Sequence, residues 1–147
     1  MTTRSTYLSL LLVAAISIPT FAQTTERTLV KSFSAVGVTE VHFDMEVPVE
    51  VVATNGNLIR VKMLVSLEGG NDKMLKTLVL ARRYDLRSKT EENRLVIYAP
   101  ALERTVKVGG QEVIENIRLE VSVPQDVVVT QKDIPALANE DLPDGMR

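Results

Sequence analysis

Apolar and polar residues alternate with period 2 over several stretches of this chain. That is the pattern of a strand with one face in a core and one in water. In residues 39–47, Val41, Phe43, Met45 and Val47 fall on one face, and Glu40, His42, Asp44 and Glu46 on the other. In 58–67, Ile59, Val61, Met63, Val65 and Leu67 share a face. Ile117, Leu119, Val121 and Val123 alternate with Asn116, Arg118, Glu120 and Ser122. Residues 84–90 and 94–99 read as a hairpin about Glu91-Glu92-Asn93. Residues 106–108 and 112–114 read as another about Gly109-Gly110, and 27–33 as a weaker strand. Residues 49–54 and 58–67 flank Asn55-Gly56. Asn-Gly accepts positive φ at both central positions of a type I′ turn, so these two are expected to pair as a hairpin. The predicted core is Val41, Phe43, Ile59, Val61, Met63, Val65, Leu95, Ile97, Leu119, Val121 and Val123.

One segment follows another period. Met74, Leu75, Leu78 and Ala81 are spaced as on a helix, which predicts a short helix over 72–81. Asn71 suits its N-cap, Asp72 the positive end, and Arg82 with Arg83 the negative end. Leu78-Val79-Leu80 is also compatible with the start of a strand.

The segment Val47-Pro48-Val49-Glu50-Val51-Val52-Ala53-Thr54 returns further along the chain as Val123-Pro124-Gln125-Asp126-Val127-Val128-Val129-Thr130. Proline cannot donate to a ladder, so each copy marks a strand end, a bulge or an edge. After Thr130 the pattern changes: 133–147 holds Pro135, Pro143, four acids and little apolar periodicity, which reads as a flexible tail.

The N-terminal segment from Met1 to Ala22 reads as an export signal. Arg4 precedes an uncharged run over 7–18, Pro19 breaks it, and Thr20-Phe21-Ala22 places small residues at −3 and −1 of a signal peptidase site. The run is shorter than the roughly 20 residues a membrane-spanning helix needs. Cleavage after Ala22 is expected, and the organisation read from the sequence is a signal peptide over 1–22, a β-rich domain over 23–130 and a tail over 131–147. Removal of the signal leaves 125 residues, with 16 basic and 19 acidic side chains and a net charge of −3. That size suits one domain. No clustered basic excess points to nucleic acid. No second apolar run approaches spanning length. There is no cysteine, so disulfides, thiolate metal sites and a Cys nucleophile are excluded, and the domain relies on packing.

Lys31-Ser32-Phe33-Ser34-Ala35-Val36 follows the export segment. Further on come Leu95-Val96-Ile97 after a polar turn, and Leu119-Glu120-Val121-Ser122-Val123-Pro124 with Asp126-Val127 behind it. This order resembles the adhesin β-strand-repeat proteins of bacterial envelopes, which include the GIN or auto-transporter adhesin head-like domains. The resemblance covers roughly residues 28–130. It implies an all-β fold stacked from short strands, often solenoid-like, and carries no catalytic residue across. The short length and the helix near 72–81 depart from that pattern and keep a compact β-sandwich beside the β-solenoid. The fold class expected is therefore all-β, mainly antiparallel short strands.

Candidate chemistry is sparse. His42, the sole histidine, shares a strand face with Asp44 and Glu46 at spacing that suits a cation. A structural metal site wants three or four ligands in fixed geometry, commonly from more than one element. Burial of the opposite face already explains their direction. Gly-x-Ser-x-Gly is absent. Gly69-Gly70 before the helix reads as linker rather than an anion site. Arg82-Arg83 beside Tyr84 reads as a hydrated helix end. Four aromatic residues outside the signal, with no Trp, argue against a carbohydrate module. No catalytic, cofactor-binding or metal residue is assigned and no cofactor is expected. The reading is an exported, non-enzymatic envelope β-domain. It would act in adhesion, structure or interaction at the periplasm, outer-membrane surface or cell exterior. Its expected partner is a protein or envelope component, not nucleic acid, with no integral span in the mature chain. The alternative is a small periplasmic ligand-binding protein using the groove beside the helix.

Overall fold

The computed structural model describes residues 25–133. The expected signal peptide over 1–22 lies outside them, as does the tail beyond Asp133. Among the described residues, no helix is long and apolar enough to cross a membrane.

The strands are β1 (Thr25–Ser34), β2 (Glu40–Phe43), β3 (Val49–Thr54), β4 (Leu58–Leu67), β5 (Arg87–Glu91), β6 (Arg94–Tyr98), β7 (Lys107–Val108), β8 (Gln111–Glu112), β9 (Glu115–Pro124) and β10 (Val128–Gln131), with helix α1 (Asp72–Leu80) between β4 and β5. One sheet runs in the order β1-β4-β9-β3 and the other β10-β2-β6-β5, with β7-β8 a separate ribbon. Buried residues of both four-stranded sheets join a single apolar cluster, so the fold is a β-sandwich rather than a solenoid. Every predicted core residue is buried in it. Leu75 of α1 and Tyr84 and Leu86 after it extend the cluster.

The pairing is more mixed than strand alternation predicts. The β1-β4, β4-β9, β5-β6 and β7-β8 pairs are antiparallel. The β10-β2, β2-β6 and β3-β9 pairs are parallel. The expected hairpin of residues 49–54 and 58–67 does not form. Asn55-Gly56 does reverse the chain, but β9 lies between the two arms, with Thr54 opposite Pro124 and Arg60 opposite Ser122. The turn passes over the end of β9, and Gly56 is not among the positive-φ glycines. The hairpin at Glu92-Asn93 does form, with Glu92 at φ +53°, but its first arm starts at Arg87 rather than at residue 84.

The eight-residue repeat acquires a meaning here. Residues 47–54 carry the chain from β2 in one sheet to β3 in the other, and residues 123–130 carry it back from β9 to β10. The outgoing strand of each copy then lies parallel to the incoming strand of the other: β3 beside β9, β10 beside β2. Strand β10 ends at Gln131, and the Lys132 amide still donates to the Phe43 carbonyl at 2.9 Å. Pairing beside β2 thus continues as far as Lys132.

Helix α1 forms as its spacing predicts. The Asn71 side chain accepts from the Met74 amide, capping the first turn. At the other end Arg82 adopts φ +58°. Its amide donates to the Val79 carbonyl and that of Arg83 to Leu78, both at 3.0 Å. This is a Schellman termination with arginine in the position glycine usually takes. Before the helix, Gly70 packs so closely on Leu67 that an added Cβ would sit 2.6 Å from the Leu67 Cβ. The glycine is a packing requirement at that point.

Candidate functional site

The Schellman turn sends two consecutive residues in different directions. Arg82 is exposed, while Arg83 and Tyr84 turn inward and are buried. The expectation that both arginines hydrate a helix end is therefore corrected for Arg83. The destination of Arg83 is Glu115, the first residue of β9. Ile117, Leu119, Val121 and Val123 point into the sandwich, and stepping back by two places Glu115 on that same inner face. A carboxylate at a core-facing position needs a partner. Arg83 Nη2 lies 2.6 Å from Glu115 Oε2 and Arg83 Nε 3.3 Å from Oε1, a two-pronged pair. The Tyr84 hydroxyl donates to Glu115 Oε1 at 2.6 Å, and Arg83 Nη1 donates to the Ala101 carbonyl. Both charged side chains are 9% exposed.

Burial pushes the Tyr84 phenol well above its ordinary range, and its bond to the Glu115 carboxylate pushes the same way. The hydroxyl stays protonated and acts as a donor. The cluster satisfies itself: each Arg83 nitrogen and Glu115 oxygen has a partner. It ties the end of α1 to β9 and the 99–105 loop rather than presenting a free acid, base or nucleophile.

Arg83 and Glu115 of this cluster form the floor of a groove of about 810 Å³ at the end of the sandwich. One wall is the crossing segment with Met45, Val47 and Pro48. The other is the ribbon with Val106, Val113 and Ile114. At its rim Lys132 lies 3.1 Å from Glu46, and that hydrogen-bonded contact raises the lysine's pKa.

The groove coincides with a place in the sheet that no strand fills among the described residues. Strand β4 pairs with β9 from Glu115 to Ser122, but β3 begins only opposite Leu119. The Leu119 amide donates to the Pro48 carbonyl at 2.9 Å, so odd-numbered residues of β9 turn their backbone groups toward β3 and even-numbered ones toward β4. The N–H and C=O of Ile117 therefore face the side where, among the described residues, no strand lies. The reason is Pro48. Continuing the ladder by one step would require its N–H to donate to the Ile117 carbonyl, and proline has none.

The residues singled out from the sequence separate. His42 Nδ1 lies 2.9 Å from the Thr130 hydroxyl, which donates to Glu40 Oε1 at 2.9 Å, so Nδ1–H is the donor to Thr130. After Phe43 the chain bends out of the strand, and Asp44 and Glu46 line the groove instead. Among the described residues, no three His, Asp or Glu groups come together as a metal would need. Gly69 takes φ +65° as part of the turn before α1. The cavity beside α1, lined by Leu29, Met63, Val79 and Leu86, is only about 190 Å³. That is below the ~300–1,000 Å³ of typical small-molecule sites. The residue that sequence reading missed is Glu115. The signal was there, since period 2 carried one step before Ile117 lands on an acid.

No family model matches the chain, and no curated protein matches it. Among solved structures, the chain is similar to the crystal structure of a putative cell adhesion protein from Clostridium sporogenes, at 10% identity and a TM-score of 0.43. The similarity covers 73% of this chain and 46% of that one, so the chain spans less than half the length of that protein.

Proposed function

We propose that this chain is an exported, non-enzymatic β-sandwich of the cell envelope, an interaction module that acts in adhesion or assembly. Its partner is a protein that lays an extended segment into the end groove, against residues 115–118 of β9. The observation that carries this reading is the unfilled strand position beside Ile117. Backbone pairing there supplies affinity with little demand on partner sequence, while a mixed lining, apolar at Val47, Pro48 and Ile114 and charged at Asp44, Glu46, Glu103 and Arg104, selects side chains. Each backbone bond formed contributes about 0.5–1.5 kcal/mol net. The self-satisfied Arg83–Glu115–Tyr84 cluster supports a rigid floor over a reactive centre. Export rests on the Arg4, apolar-run, Thr-Phe-Ala order of the N-terminal segment. Mass spectrometry of the exported product should show Gln23 as the first residue, and an intact Met1 contradicts that part.

The docking part is tested with a photoreactive side chain at Ile114, which lines the groove and is 55% exposed, and at Val36, which is 76% exposed and outside it. In cells that make the protein, irradiation should yield a discrete protein adduct from Ile114 and none from Val36. Equal labelling at both, or none at Ile114, contradicts the groove as the docking site.

A further inference from the structure

The sheets end in four edges of unequal protection. On β1, Arg27 is tied to Asp72 of α1, and Lys31 reaches the Leu86 carbonyl and Asp85, so the helix and the segment after it cover that edge. Strand β5 carries Arg87, Lys89 and Glu91, and charge discourages pairing. Strand β10 is four residues long. Strand β3 is longer than β10, carries a single charge, Glu50, and has no covering segment among the described residues. Its sequence is Val-Glu-Val-Val-Ala-Thr, with Val51 46% and Val52 51% exposed.

The register fixes what this edge offers. Because the Leu119 amide bonds to the Pro48 carbonyl, even-numbered residues of β3 face β9 and the N–H and C=O of Val49, Val51 and Ala53 point outward. We propose that this edge pairs with the β3 edge of a second copy of the chain, antiparallel, about a two-fold axis through Val51. An antiparallel partner must match bonded residues with bonded residues and keep each face of the sheet continuous. Centring on Val51 does both. Val51 meets its own copy, and Val49 meets Ala53. On the outer face Glu50 meets Val52, so no like charges stand opposite one another. The segment is self-complementary, which is the condition for a closed two-fold contact. Pro48, which lines the end groove, precedes the strand and limits the pairing to 49–53, outside the groove lining. The contact is a second surface and stands independently of the partner proposed for that groove.

The test uses the exported protein purified from its producing cells. Sedimentation should show a concentration-dependent dimer. Val51→Pro removes an outward N–H but no bond to β9, so it should give a folded monomer with an unchanged circular dichroism spectrum. The absence of native cysteine permits a second readout. With Val51→Cys, symmetric pairing brings the two thiols together, since opposed bonded residues have Cα atoms about 5.5 Å apart. Mild oxidation should then crosslink nearly all of the Val51→Cys protein and little of Val52→Cys, whose side chain meets Glu50. A monomer at every concentration, a dimer indifferent to Val51→Pro, or equal crosslinking of the two cysteine variants would overturn the proposal.

Discussion

Two halves of β9 face the same interior and are stabilised in opposite ways. From Leu119 to Val123 the inner face is apolar, opposed by Met63 and Val61 on β4 and flanked by β3 on the other side. From Glu115 to Arg118 the inner face begins with a carboxylate, β3 is missing, and the neighbouring space is a groove. The difference shows how a sandwich keeps one end open. An apolar side chain at 115 would draw the walls together over it. A carboxylate clamped by Arg83 and Tyr84 closes the floor with directed bonds and leaves the space above it accessible.

The strongest way to break this contrast is to remove one charge of the clamp. Glu115→Ala leaves Arg83 buried without its partner and should cost about 3–5 kcal/mol in denaturant unfolding. Replacing both, with Arg83→Met and Glu115→Leu, should recover most of that stability while narrowing the groove and reducing crosslinking from Ile114. If the single change costs less than about 1 kcal/mol, the clamp is solvated and the contrast fails.

In the apolar half the expected cost comes from lost transfer and cavity terms. Val61→Ala should cost about 1–4 kcal/mol. Arg60→Ala, its outward and exposed neighbour, should cost less than about 0.5 kcal/mol. Reversal of that order would put the inner face on the wrong parity.

The smallest effect concerns the phenol. Burial and Glu115 favour the protonated form of Tyr84 in the folded state. The folded pKa is thus raised above the ordinary value of about 10. The stability this confers is fully present below that value and declines as pH rises through the folded pKa. Phenolate absorbance should show one tyrosine titrating well after an ordinary phenol, a late step absent from Tyr84→Phe. If the late step persists in that variant, Tyr84 is not the shielded group.

Much of this molecule is legible in the sequence, because burial imposes a period and the period is local. Alternation placed the inner faces of β2, β4 and β9, and helical spacing with Asn71 and Asp72 placed α1. Alternation does not say which strand is the neighbour. Asn55-Gly56 reverses the chain, yet β9, which follows only after α1 and four further strands, enters between its arms. The repeat of residues 47–54 at 123–130 was visible, while the exchange of partners between its copies was not, because pairing depends on crossing between sheets. The candidate site was the least legible part. His42, Asp44 and Glu46 lie on one face of an alternating pattern, but the bend after Phe43 separates them. Arg83 and Glu115 lie 32 residues apart and meet only because a Schellman turn aims one and strand parity the other.

The most direct measurement of the open strand position is hydrogen exchange of individual β9 amides in the free protein. The Leu119 amide is bonded to Pro48 and that of Arg118 faces β4, so both should exchange slowly. The Ile117 amide, facing the groove, should exchange orders of magnitude faster and become protected when the crosslinked partner is bound. An Ile117 amide as protected as that of Leu119 in the free protein would mean that the position is already filled and would contradict strand docking there.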